Sequence, residues 1–116
     1  MYYGCCEPIH AIWEKSVSKF PNLRKVSISA WCDEDFMGEA LRGINVIYSR
    51  KPWPNYIGVG TLFDEEGFSN HIEKTLRAAK GCKLEILCRE IYTLNHDISK
   101  PGKAMNIIRR LIDKVW

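Results

Sequence analysis

No run of about 18 apolar residues occurs anywhere in the 116-residue chain, so the sequence offers no helix able to span a bilayer. The opening MYYGCCEPIH has neither a basic n-region nor an apolar h-region, so no secretory leader is expected and a cytoplasmic location is. Basic residues never gather into a block. The 17 Lys and Arg are interspersed with 14 Asp and Glu in runs such as EKSVSK and KTLRAAK, for a formal net charge of +3. Without such a block or a nucleic-acid-binding motif, neither nucleic acid nor membrane is an expected partner. The cysteines number 5, an odd count, and no CxxC pair exists, which argues against a disulfide framework, a zinc ribbon and a thioredoxin-type centre. Gly58-Val59-Gly60 is followed by Thr-Leu-Phe, lacks the third glycine of a dinucleotide fingerprint and does not follow the first strand.

What is present is an ordinary globular composition, 46% hydrophobic and 27% charged, enough for one domain over residues 1–116. A domain near this size buries roughly 65% of the surface its unfolded chain exposes. Strand and helix patterns alternate four times. Tyr2–Cys6 reads as a short strand, and Ile9, Ile12, Trp13, Val17 and Phe20 recur at helical steps up to Pro21. In Lys25–Ala30 the apolar Val26 and Ile28 alternate with Ser27 and Ser29, a second strand. Asp33 can cap a short helix over 35–42, with Glu34 and Asp35 in the favourable first turn and Gly43 closing it. Asn45–Ser49 is a third strand, followed by the stiff loop Arg50-Lys51-Pro52-Trp53-Pro54-Asn55. Residues 57–62 read ambiguously, as an extended lead into the next helix. Asp64 caps that helix, whose apolar stripe is Phe68, Ile72, Leu76 and Ala79. Lys83–Cys88 is a fourth strand, and Pro101 opens a last helix with Ala104, Ile107, Ile108, Leu111, Ile112 and Val115 on its buried face. Four such units predict an α/β fold with a parallel sheet, and about half of a (β/α)8 barrel of ~250 residues.

The stretches YYGCCEPIH (2–10), NLRKVSISAWCDED (22–35), VIYSRKPWPN (46–55), FDEEGFSNHIEKTLRAAKGCKLEI (63–86) and CREIYTLNHDISKP (88–101) resemble the uroporphyrinogen decarboxylase superfamily. The likeness is to the C-terminal half of its methyltransferase-like, cobalamin-dependent branch and covers essentially the whole chain. It implies the last four βα units of a TIM barrel acting in methyl transfer or decarboxylation with thiol or zinc chemistry. It also implies a corrinoid carried on a partner protein. Related corrinoid methyltransferases hold zinc through a His-x-Cys pair on a strand and a distant Cys. The matching stretch here is Tyr3-Gly4-Cys5, so the His position is Tyr3. Where that branch often has Lys-Asp-x-His-Thr on its last strand, this chain has Arg89-Glu90-Ile91-Tyr92-Thr93.

In a βα barrel the chemistry sits at the C-terminal ends of the strands. Four clusters fall there: Cys5-Cys6-Glu7, Trp31-Cys32-Asp33, Ser49-Arg50-Lys51, and Arg89-Glu90 with Tyr92. Cys5, Cys6 and Cys32 are the candidate zinc ligands, with Glu7 or His10 able to complete a set. Glu7, Asp33, Arg89, Glu90 and Tyr92 are the candidate catalytic groups. Arg50 and Lys51 could pair with anionic groups of a substrate, and Trp31 could stack on a planar one. Each has a structural alternative. The thiols can be small buried hydrophobes, Arg50-Lys51 a solvated loop, and Arg89–Glu90 an internal ion pair. Cys82 is expected in the core, and His71 and His96 at the surface.

Four parallel strands leave two open edges. A homodimer, or a separate N-terminal half-barrel chain, would close eight strands without an edge. A lone chain is expected to expose its inner face, Val26, Ile28, Val46 and Ile86. The alternative to an enzyme is a catalytically inert fragment that only folds or oligomerises.

Overall fold

The alternation of side chains along each strand decides the architecture, because successive residues point to opposite faces. The structure, a computed structural model, describes residues 1–4, 8–58, 62–89, 91, 93–94 and 96–116. It forms two compact units. The first comprises Met1–Lys51 with Ala78–Leu87, the second Pro52–Arg77 with Cys88–Trp116.

The first unit holds the sheet. Its strands are β1 (Tyr2–Tyr3), β2 (Lys25–Ile28), β3 (Ile47–Arg50) and β4 (Lys83–Ile86). All pairings are parallel and the spatial order is β1-β2-β3-β4, the order of the sequence. The α/β class and the four-stranded parallel sheet are therefore as the sequence predicts, with strands shorter than expected. Helix α1 (Glu34–Leu41) packs against the sheet beside two 3-10 turns, Ile9–Ile12 and Val17–Lys19.

The expected helix over 9–20 is broken into those two turns. Ser16 and Val17 are weak helix formers, and the Ser18 hydroxyl donates to the Glu14 carbonyl at 3.2 Å, a local bond that competes with regular helix. Ile9, Trp13 and Val17 still reach the core. The expectation of an exposed apolar inner face is also corrected. Val26 and Ile28 are fully buried and Val46 nearly so, in one cluster with Ile9, Trp13, Val17, Met37, Leu41 and Tyr48. Those apolar residues face the helical side, Ile86 is half-buried, and the opposite face carries Lys25, Ser27, Ile47, Ser49, Lys51 and Glu85.

Two caps stand where the sequence places them. The Asp33 carboxylate accepts from the Phe36 N–H at 3.1 Å, and Gly43 leaves α1 in the left-handed region at φ 77°. Arg42 Nε donates to the Lys80 carbonyl at 2.9 Å and the Cys82 thiol donates to the Gly38 carbonyl at 3.2 Å, so α1 is tied to the segment leading into β4. Cys82 is core, as expected.

The second unit contains α2 (Asn55–Gly58), most of α3 (Glu65–Ala78) and α4 (Lys100–Val115). The extended reading of 57–62 gives way at its start to a helical turn. Pro54 sits just before it, and its carbonyl accepts from the N–H groups of Ile57 at 3.2 Å and Gly58 at 2.7 Å. Asp64 caps α3 through the Gly67 N–H at 2.9 Å, and Phe68, Ile72 and Leu76 are buried. His71, expected at the surface, is half-buried, and its Nε2 accepts from the Trp53 N–H at 3.1 Å. Among the described residues no helix is long and apolar enough to cross a membrane.

A methyl group on Gly38 would fall 1.9 Å from the Ala78 carbonyl oxygen, whereas one on Gly102 in α4 would meet nothing within 4 Å. Gly38→Ala should therefore cost about 1–3 kcal/mol or more in urea unfolding. Gly102→Ala should gain about 0.5–1 kcal/mol by the same measurement.

Candidate functional site

Beyond the ladder itself, the first unit is held by two polar clusters, one on each face of the sheet. On the helical face, Tyr48 and Arg50 follow one another along β3. Arg50 is 1% exposed, and its Nη2 lies 2.8 Å from the Glu34 carboxylate, itself buried in the first turn of α1. Arg50 Nη1 donates to the Ser29 carbonyl at 2.6 Å. The Tyr48 hydroxyl lies 3.4 Å from the same Glu34 carboxylate. Burial and the Glu34 charge push the Tyr48 phenol far above its ordinary range, so it stays protonated.

The opposite face carries a network over all four strands. Ser27, Ser49 and Glu85 are register partners in adjacent strands. Glu85 accepts from the Ser49 hydroxyl at 2.7 Å and from Lys25 Nζ at 2.9 Å. These hydrogen bonds hold its carboxyl below the usual glutamate value. Lys51, directly after β3, donates from Nζ to the hydroxyls of Ser27 and Tyr2. Two ammonium groups approach the Tyr2 ring, with Lys51 Nζ 5.0 Å and Lys25 Nζ 5.4 Å from its centroid. Burial opposes ionisation of this phenol, but the hydrogen bonds from Lys51 and Ser27 and the Lys51 charge outweigh it and lower its pKa. Ser27 and Ser49 are fully buried and Lys51 is 7% exposed, whereas Tyr2 is 48% exposed. This face can donate protons, stabilise an anion and present an amine.

The residues singled out by sequence are distributed differently. Arg50 and Lys51 are both buried, but adjacent positions send them to opposite faces, so they do not converge on one anion. Asp33 is exposed, and its carboxylate caps α1. Its N–H donates to His10 Nδ1 at 3.1 Å. Trp31 is 54% exposed just beyond the C-terminal end of β2, and Cys32 is buried, which pushes its thiol up. In the second unit Arg89 is exposed and lines a small hollow with Trp53, Ile57, Phe68 and Cys88. Cys5, Cys6, Glu7, Glu90 and Tyr92 lie outside the described residues. Among the described residues no three His, Cys, Asp or Glu side chains come together as a metal site.

Sequence reasoning missed Glu34, read only as a helix-dipole residue, and the set Tyr2, Lys25, Ser27 and Glu85, while Ser49 was placed in a strand-end cluster with Arg50 and Lys51. The signal was the alternation of Lys25, Ser27 and Ser29 against Val26 and Ile28, which marks one face of β2 as polar. The chain finds no match among protein-family models, curated proteins or solved structures.

Removing one partner of the buried pair, by Arg50→Ala or Glu34→Ala, should cost about 3–5 kcal/mol in denaturant unfolding, while the double replacement R50M/E34L should cost less than the sum. Glu85 gives an acid-side prediction. Its folded pKa lies below the unfolded value of 4.5, so its contribution is complete above that value and lost as pH falls through the folded one. Glu85→Gln should lose about 0.5–1 kcal/mol at neutral pH, the partly exposed setting keeping the effect small. That difference should close as the wild type is acidified below pH 4.5, measured by thermal unfolding against pH.

Proposed function

We propose that the chain supplies one half of a (β/α)8 barrel of the uroporphyrinogen decarboxylase and corrinoid methyltransferase type, with the polar face of its sheet as the lumen wall. The observation that supports this reading is the sheet itself. Parallel strands in the order β1-β2-β3-β4 contain no reversal, whereas an open doubly wound sheet has a switch point in its strand order. A parallel sheet in an open α/β fold also reads as apolar on both faces, while this one has Lys25, Ser27, Ser49, Lys51 and Glu85 on one of them. The other four strands come from outside these residues, and a second copy of the chain fits that role.

The substrate on this reading is a small carboxylated or methylated compound, bound in the lumen by cationic and hydroxyl groups. Decarboxylation or methyl transfer is the reaction class, and a corrinoid protein is the partner in the latter. A zinc ion would supply a Lewis acid and a thiolate-activating charge. Of its three proposed ligands only Cys32 is described, and its buried, protonated thiol is not a ligand as it stands. No step is assigned to the metal. A second reading, a βα half that assembles without turnover, is favoured by one observation. Arg50, a proposed substrate-binding cation, is neutralised internally by Glu34.

Closure can be tested at the edge of β4. The Leu87 N–H donates to the Arg50 carbonyl at 2.9 Å, so by alternation the Ile86 N–H points away from β3, toward the open edge. Light scattering should give a dimer for the wild type. Ile86→Pro should give a monomer with unchanged helical circular dichroism, since proline there removes only an edge donor. A monomeric wild type overturns closure by a second copy. Fluorescence titration with hydroxocobalamin then separates the two readings: saturable quenching supports the enzyme half, and no quenching of an intact dimer supports the inert one.

A further inference from the structure

We propose that Lys51 is a nucleophilic amine that condenses with the carbonyl group of a small oxo acid, with Tyr2 carrying the protons. The inference stands on the first unit alone and is independent of how a barrel would be completed.

Burial comes first. Lys51 is 7% exposed, and lysine is almost never taken out of water without a reason. Its hydrogen-bond partners come second. Nζ donates to two hydroxyls, those of Tyr2 and Ser27. The carboxylate on the same face is engaged elsewhere, Glu85 accepting from Lys25 at 2.9 Å and from Ser49 at 2.7 Å. A lysine serving only to neutralise Glu85 would bind it directly, as Lys25 does. The third observation is a neighbouring like charge. Lys25 Nζ and Lys51 Nζ lie 5.4 Å and 5.0 Å from the centroid of the Tyr2 ring, so both cations meet at the residue that accepts from Lys51. Lys51 also directly follows β3, at the end of the sheet where parallel βα folds hold their chemistry.

Tyr2 is suited to move the protons. Its oxygen accepts from the Lys51 ammonium, which directs its own proton away toward a ligand, and the residue is 48% exposed. The Tyr2 phenol is more acidic than an ordinary one, which eases proton exchange. Nζ passes one proton to Tyr2 Oη, which releases its own to water. The freed nitrogen pair then forms the C–N bond while the carbonyl π pair moves to oxygen. That oxygen takes one proton from nitrogen and one from Tyr2, which is reprotonated from water. It leaves as water, and the nitrogen pair closes the C=N bond. Ammonium and carbonyl thus become iminium and water, with no oxidant or reductant. An iminium withdraws electrons from the adjacent carbon, which serves the decarboxylation of a 3-oxo acid or proton loss next to a 2-oxo acid. Lys25 and Lys51 against the one carboxylate of Glu85 leave this group of residues with a net positive charge, which favours a carbonyl compound that bears a carboxylate.

The test is reductive trapping. The full chain is incubated with acetoacetate or pyruvate and sodium cyanoborohydride, then digested and mapped by mass spectrometry. The expected product carries the mass of the oxo acid less one oxygen atom on Lys51, in large excess over the exposed Lys15, Lys74 and Lys80. Trapping at that site should vanish in Lys51→Arg and fall at least tenfold in Tyr2→Phe, with circular dichroism unchanged. Labelling spread evenly over the exposed lysines, or absent from Lys51 in the wild type, overturns the proposal without requiring any variant to fold. Full trapping in Tyr2→Phe overturns the role of Tyr2. Preferential trapping of acetone over both acids overturns the choice of an oxo acid.

Discussion

Arg50 could not occupy its place on the helical face without Glu34. A guanidinium 1% exposed to water needs a charge partner and further acceptors, and it has the Glu34 carboxylate at 2.8 Å and the Ser29 carbonyl at 2.6 Å. The consequences spread through the first unit. The pair fixes the first turn of α1 against the C-terminal end of β3, and the Ser29 carbonyl ties in the end of β2. It consumes the positive charge of Arg50 inside the core, so cationic chemistry on the sheet falls to the lysines of the other face. It also settles the facing of β3. With Arg50 committed to the helical side, Ser49 and Lys51 must turn to the polar side.

The two faces follow different physical rules. The helical face is a conventional core, where Val26, Ile28, Tyr48 and the side chains of α1 and the 3-10 turns exclude water. On the other face, polar groups satisfy one another across the strands: Ser49 and Lys25 on Glu85, Lys51 on Ser27 and Tyr2. The two sets of hydrogen bonds meet at the Tyr2 ring, which both lysines approach.

Much of the fold could be read from the sequence because its signals are local. Asp33 and Asp64 as caps, Gly43 as a helix terminator and the stripe Phe68, Ile72, Leu76 depend on neighbours within a turn or two. The failures were of two kinds. Over 9–20 the helical spacing of apolar residues was real, but Ser16 and Ser18 weakened the backbone that should have carried it. For the candidate site, the strand-end rule led to the adjacent residues Arg50 and Lys51 as a pair, although alternation separates them. Glu34 could not be assigned to Arg50, because the two are 16 positions apart in the chain and only the tertiary fold closes that distance. Tyr2, Lys25 and Glu85 likewise meet only once three separate strands are in register.

Ser27 and Ser49 stand side by side in the middle of the sheet, where strands generally favour β-branched or aromatic residues. Two small side chains share one rung there, and the Lys51 arm folds back past Ser27 toward Tyr2. The arm can lie there because strand-forming preference was given up at two positions. The seat of the amine is therefore set as much by the bulk those serines lack as by the hydroxyls they offer.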